Sequence, residues 1–369
     1  MNLESIKILK NIPEISNNKL LSKKTLSTFY TKLYNALESW ELQYEETALN
    51  ISINYHKNNY NEIFDYNYIK HEIRKKIEAH GSYCTRFTIN IENNQYNILL
   101  CLPTNETKSV INLNKIKKHF FNSLFKIYLW LYIVQDHKKK LCGSISNINI
   151  IFSNEKKMIN GKGILDVIHA NSAFTTSCKE EINICIYRYE EWFKVFIHET
   201  FHSFGMDFSH FNNNIAESLL FEMFQVENKD GIRVYESYCE CWAEIINIII
   251  ISFLQVDSKK EHANQFYRQM KKEIQFSTFQ LVKVLNNYDL NYETLIDNSY
   301  KIIKFKEHTS ILSYYVIKLI LLFHCNDFEK WCKENNNTLL QFKEEDKIID
   351  FVDFIRSIYK KTDLLNYIK

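Results

Sequence analysis

Apolar positions along the chain change period several times, and those changes divide it. The first 95 or so residues are polar. Apolar residues recur there at helical spacing near Lys24–Glu46 and Tyr66–His80, which predicts a helical N-terminal region. Tyr96–Leu102, closed by Pro103, reads as a strand, and Leu113–His137 as a long amphipathic helix. Ile148–Phe152 and Ile182–Tyr187 are short β-rich runs, and Ile164–Phe174 is extended in character. Tyr189–Phe204 returns to helical spacing and stops at Gly205, in a good position for a helix C-terminus. Residues 206–234 read as loop, with a strand-like piece at Leu220–Val226 and a turn at Lys229-Asp230-Gly231. From Tyr235 onward the pattern is helical almost to the end. The expected fold is α+β: a small mixed sheet with an active-site helix, then a mostly helical C-terminal half. The expected segments are 1–95, 96–210 and 211–369.

Composition changes the picture in two places. Gly (6) and Pro (2) are rare in 369 residues, so Asn has to supply the punctuation of turns. The formal net charge is only +2, which predicts neither a nucleic-acid partner nor attraction to an anionic membrane. Two apolar stretches, Ile245–Val256 and Ser310–Cys325, fall short of the ~20 residues a membrane span needs. The nine cysteines are odd in number and irregularly spaced, and the start MNLESIKILK lacks an apolar secretory core. The expectation is a soluble intracellular protein with free thiols in a reducing compartment.

The chemistry concentrates in His198-Glu199-Thr200-Phe201-His202. On a helix, residues four apart share a face, so the two imidazoles can reach one ion. Glu199 projects beside them, where a water would sit. Two neutral imidazoles, an open position and a carboxylate base are what hydrolysis by an activated water requires. From Val195 to Phe204 these three are the only ionisable residues, in an otherwise apolar stretch where unpartnered charge is costly. His71-Glu72 is an internal control: Lys75 follows where a second His would be needed.

Downstream, Tyr235–Ile251 is apolar almost all round, yet Glu236, Glu240 and Glu244 stack one turn apart. Like charges at that spacing repel, and buried carboxylates need a partner. A bound cation with histidine ligands would be one, and Lys or Arg another. HExxH followed by a helix carrying Glu-x-x-Ala-(Asp/Glu) resembles the gluzincin metallopeptidases, the thermolysin-like and neprilysin-like clan. The match is Glu240-Cys241-Trp242-Ala243-Glu244, 38 residues after His202. The resemblance implies Zn²⁺ held by His198, His202 and Glu240, with Glu244 orienting a ligand histidine. Glu236-Ser237-Tyr238-Cys239-Glu240 is a competing register that would make Glu236 the ligand. The clan also uses an edge strand before the active helix to bind substrate backbone, and Ala170–Phe174, with Asn171 and Ala173, is similar to it. For the oxyanion, Tyr315, Tyr314 or His308 are candidates. Together with the composition, the stretch from Tyr187 to Phe208 also resembles uncharacterised proteins of large DNA viruses. The resemblance to gluzincins spans residues 165–250 and implies a peptide or protein substrate.

Two alternatives stay open. A metzincin-like site would continue HExxH to Gly205, which fits, but its third-ligand position holds Phe208, with Asp207 one residue early and His210 two late. A second class is a metal-stapled structural or interaction protein, such as a virion component. Glu199 argues against it, because a purely structural site closes its fourth position and needs no base.

Overall fold

The structure is a computed structural model and describes residues 9, 11–56, 69–104, 112–159, 162–228, 231–297 and 304–369. The chain is α+β and forms two compact units that interleave in sequence. One comprises residues 29–157 and 171–206, and the other residues 1–28, 158–170 and 207–369.

The first unit holds a six-stranded mixed sheet in the order β1-β2-β3-β4-β6-β5. The strands are β1 (Asn54–His56), β2 (Gly81–Ile91), β3 (Asn94–Thr104), β4 (Ile145–Ile151), β5 (Ala173–Thr175) and β6 (Glu181–Ile186). β2 and β3 make an antiparallel hairpin, turned at Glu92 with φ 53°. β3, β4 and β6 run parallel, and β5 closes the sheet as an antiparallel end strand on β6. Asn97, Asn147 and Asn183 occupy one register row of the parallel strands, and their amides bond side to side at 3.1 Å each. A one-residue slip of any strand would turn that strand's amide to the other face. The longer helices of this unit are α1 (Lys23–Gln43), whose first residues belong to the other unit, α2 (His71–Glu78), α3 (Leu113–Val134) and α4 (Trp192–Ser203). Trp40 of α1 joins α3 to the sheet through Phe121, Phe125, Tyr128 and Phe87.

Three expectations for this unit need correction. The first 95 residues are not helical throughout, since β1 and the eleven-residue β2 lie among them. From Phe87 to Ile91 β2 shows the strict in-out alternation of a half-buried strand, and with no Gly or Pro at its turn that signal went unpunctuated. Part of the expected Tyr66–His80 helix falls outside the described residues; what is described is α2. The cysteines are not all free: Cys84–Cys101 and Cys142–Cys178 form disulfides, with Cα atoms 4.2 and 5.0 Å apart. Cys84 and Cys101 are cross-strand neighbours in the hairpin register, a proximity that sequence spacing does not reveal. The remaining five thiols are all buried.

The second unit is mostly helical. It contains α5 (Asn214–Met223), α6 (Val234–Gln255), α7 (His262–Asn287) and α8 (Lys318–Phe323), with three further helices after residue 324. Leu220–Val226, expected as a strand, is the end of α5 followed by β7 (Val226–Asn228), which pairs in parallel with β8 (Phe305–Glu307). In the expected turn Lys229-Asp230-Gly231, only Gly231 is among the described residues, with φ 80°. The extended reading of Ile164–Phe174 holds only in part, because Val167–Ala170 is a short helix. α6 is long and apolar enough to cross a membrane by length and composition alone, but 83% of its most apolar window is buried inside the protein. It is a core helix, packed against α7, α8 and a π-helix at Leu312–Ile317.

Candidate metal centre

α4 follows β6 and lies against β5 and β6. Its burial follows from its sequence: every residue from Trp192 to Ser203 is buried except Glu199 and His202, which are half-buried. Thr200 and Phe201, between the histidines, fasten the helix from behind. Trp130 of α3 donates its indole N–H to the Thr200 hydroxyl at 2.9 Å, and its ring stacks on Phe201. With those two positions turned inward, His198, Glu199 and His202 share the remaining face.

His198 Nε2 and His202 Nε2 are 3.2 Å apart. Two nitrogens at ~2.0–2.1 Å from one tetrahedral ion would stand about 3.3 Å apart. The same distance suits a hydrogen bond, but only if one ring donates from Nε2. Two imidazoles on one helical face, one buried and one half-buried, make a donor set that fits a borderline ion such as Zn²⁺. Glu199 lies close enough to β6 for its charge to add to the effect of burial, which pushes the Cys185 thiol and the Tyr187 phenol far up in pKa. Both stay protonated, so Cys185 is no thiolate nucleophile competing with this site.

At its C-terminal end α4 stops because Gly205 takes a left-handed conformation, φ +64°. A Cβ there would come within 2.9 Å of Lys139 Cδ and 3.1 Å of Cys142 Sγ. Backbone and packing account for this glycine without a metal. Phe208, at the metzincin ligand position, is a core ring packed on Tyr238, Phe342 and Phe351. Asp207 is buried, and His210 is exposed with its ring 4.0 Å from Phe211.

In the helical unit, Glu236, Glu240 and Glu244 are all buried on α6. They differ in their partners. Glu236 accepts a hydrogen bond from the Tyr314 hydroxyl at 3.1 Å. Glu244 faces Lys318 of α8 at 3.9 Å, and Lys318 lies 3.9 Å from Glu273 of α7 as well. Part of the stripe therefore meets lysine. Of the oxyanion candidates, Tyr315 is half-buried on the π-helix next to Tyr314, whereas His308 is exposed and ties its backbone N–H to Leu165. Asn171 is half-buried just before β5; of the Ala170–Phe174 stretch expected as an edge strand, only Ala173 and Phe174 lie in β5, where Ala173 pairs with Ile186, and Ala170 ends a short helix. The Tyr314–Glu236 bond had no signal in sequence beyond the proximity of Tyr314 to the other candidates.

Comparison of the chain with known protein families, with curated proteins and with solved structures gives no match.

Proposed function

We propose that this chain is a zinc-dependent peptidase of gluzincin type. The observation that carries the reading is the imidazole pair of α4, with Nε2 atoms 3.2 Å apart and Glu199 on the same face. His198 and His202 would hold the ion, with a carboxylate of α6 as third donor. The motif match nominates Glu240 for that place, with Glu244 as the acid that orients a ligand histidine and Glu236 as the competing register. Zinc held there would supply Lewis acidity, which lowers the pKa of water toward ~7. Glu199 takes the proton from the attacking water and returns it to the leaving amine. β5, as an end strand beside α4, offers backbone groups to an extended peptide, near Asn171 and Ala173. A tyrosine of the π-helix, Tyr315 or Tyr314, is suited to donate to the developing oxyanion. The reading takes a peptide or protein as substrate, and neither a nucleic acid nor a membrane as partner.

The first test is the metal content of purified wild type and His198→Ala. About one zinc per chain, lost in the variant, is expected. Glu199→Gln should retain the zinc and lose peptide hydrolysis by at least ~10²-fold. A folded wild type that also refuses added zinc would end the reading, and hydrolysis retained in Glu199→Gln would end the mechanism.

A further inference from the structure

The two disulfides of the first unit differ in accessibility. Cys84 and Cys101 join β2 to β3 and are only 2% and 0% exposed. Cys142, between α3 and β4, is as deeply buried at 1%, but its partner Cys178 is exposed on the connection from β5 to β6. Every residue of that connection from Ser177 to Glu180 is exposed, so a dissolved thiol can approach one disulfide from its Cys178 side. Lys138, Lys139 and Lys140 stand before Cys142 and Lys179 follows Cys178, against Glu180 and Glu181 as the acids. Lys138 is kept beside the pair, its ammonium donating to the carbonyl of Gly143 at 3.2 Å. Neighbouring lysines stabilise a thiolate and draw an anionic thiol.

The same disulfide lies against the end of α4. Cys142 Sγ and Cys178 Cβ stand 3.1 and 3.3 Å from where a Cβ on Gly205 would be. Lys139 donates its N–H to the Phe204 carbonyl at 3.0 Å, and Lys138 Nζ is 5.2 Å from the centre of the Phe204 ring. On the other side Gly143 donates its N–H to the Lys179 carbonyl at 2.7 Å. The cross-link fastens two connections together beneath the last turn of the helix. We propose that Cys142–Cys178 is a thiol-exchange site that takes a small anionic thiol of the glutathione class on Cys178, and that opening it loosens the C-terminal end of α4. The attacking thiolate forms a bond to Cys178 Sγ while the bond from Cys178 to Cys142 breaks. The electron pair leaves on the Cys142 sulfur, which takes up a proton equivalent to the one the attacking thiol lost to solvent. A second thiolate attacks the glutathione sulfur of the mixed disulfide, releasing glutathione disulfide and Cys178, which is protonated in turn. Two small thiols are oxidised to one disulfide, and one protein disulfide is reduced to two thiols. The inference does not depend on the zinc-site reading.

The test treats the oxidised full chain with reduced glutathione at neutral pH, quenches with acid, alkylates the free thiols and maps them by mass spectrometry. Cys142–Cys178 should open at least ~10-fold faster than Cys84–Cys101, with glutathione trapped on Cys178 and Cys142 alkylated. The amides of Phe204, Gly205 and Met206 bond to the carbonyls of Thr200, His202 and Phe201. Their hydrogen exchange should quicken at least ~10-fold once the disulfide is open. Single variants give a second reading. Glutathione disulfide should modify the free Cys178 of Cys142→Ser and leave the buried Cys142 of Cys178→Ser unmodified. Glutathione trapped on Cys142, the reverse pattern in the variants, or two disulfides that open at equal rates or not at all overturns the exchange site. Unchanged hydrogen exchange at Phe204, Gly205 and Met206 in the opened wild type overturns the coupling to α4.

Discussion

Glu307 is almost wholly buried, and burial pushes its carboxyl pKa up from 4.5 to about 7, against the pull of its bonds to Leu312, Asn228 and Ile311. Its folded pKa lies above its unfolded one. The stability linked to this proton is therefore fully present below about pH 4.5 and is lost as pH rises through about 7. At ~1.4 kcal/mol per tenfold change in acidity, the loss amounts to about 3 kcal/mol. Wild type should have a lower thermal midpoint at pH 8 than at pH 5. Glu307→Gln should flatten that slope, and equal slopes in the two proteins would show that Glu307 titrates elsewhere. The residues with the clearest roles in sequence were His198, Glu199 and His202, because a helix alone brings them to one face. Tyr314 was one candidate among neighbours, because nothing local to a π-helix says which side chain will meet a carboxylate 78 positions away.

At the scale of elements, α4 depends on how it ends. Gly205 supplies a left-handed residue, and the space where a Cβ would go is taken by Lys139, Cys142 and Cys178. Gly205→Ala should cost roughly 1–3 kcal/mol through conformational strain and crowding together. Denaturant unfolding measures this, and a change below ~0.5 kcal/mol would show that the helix end tolerates a side chain. Long periodic elements such as α1, α3, α4 and α6 were legible in the sequence, since a face four residues in period is a strong signal over many turns. β2 and α5 were not. The eleven residues of β2 start a hairpin whose turn uses Glu92 in place of Gly, and α5 shares its apolar run with the strand that follows it.

For the molecule as a whole, the two disulfides lie in the unit that carries the sheet and α4. They close loops of 17 and 36 residues, so each should constrain the unfolded chain by about 3 kcal/mol or somewhat more. Adding reductant should lower the thermal midpoint, and replacing Cys142 and Cys178 together by Ser should reproduce part of that loss in the absence of reductant. A midpoint indifferent to reductant would show that these pairs stand as thiols. The two units interleave in sequence because residues 158–170 belong to the helical unit, where Leu165 bridges to Glu307 and accepts from the His308 N–H, before the chain re-enters the sheet unit ahead of β5.

The sequence by itself determined the fold class, the helix that bears HExxH, the buried character of α6 and the carboxylate stripe along it. Each of these follows from periodicity within one element, where neighbours in space are a few residues apart in the chain. The tertiary structure alone decided which cysteines pair, how β5 closes the sheet, which carboxylate meets Lys318 and which meets Tyr314. Those outcomes depend on contacts between residues tens of positions apart. Such contacts are set by how whole elements bury their apolar faces, and no local pattern encodes them.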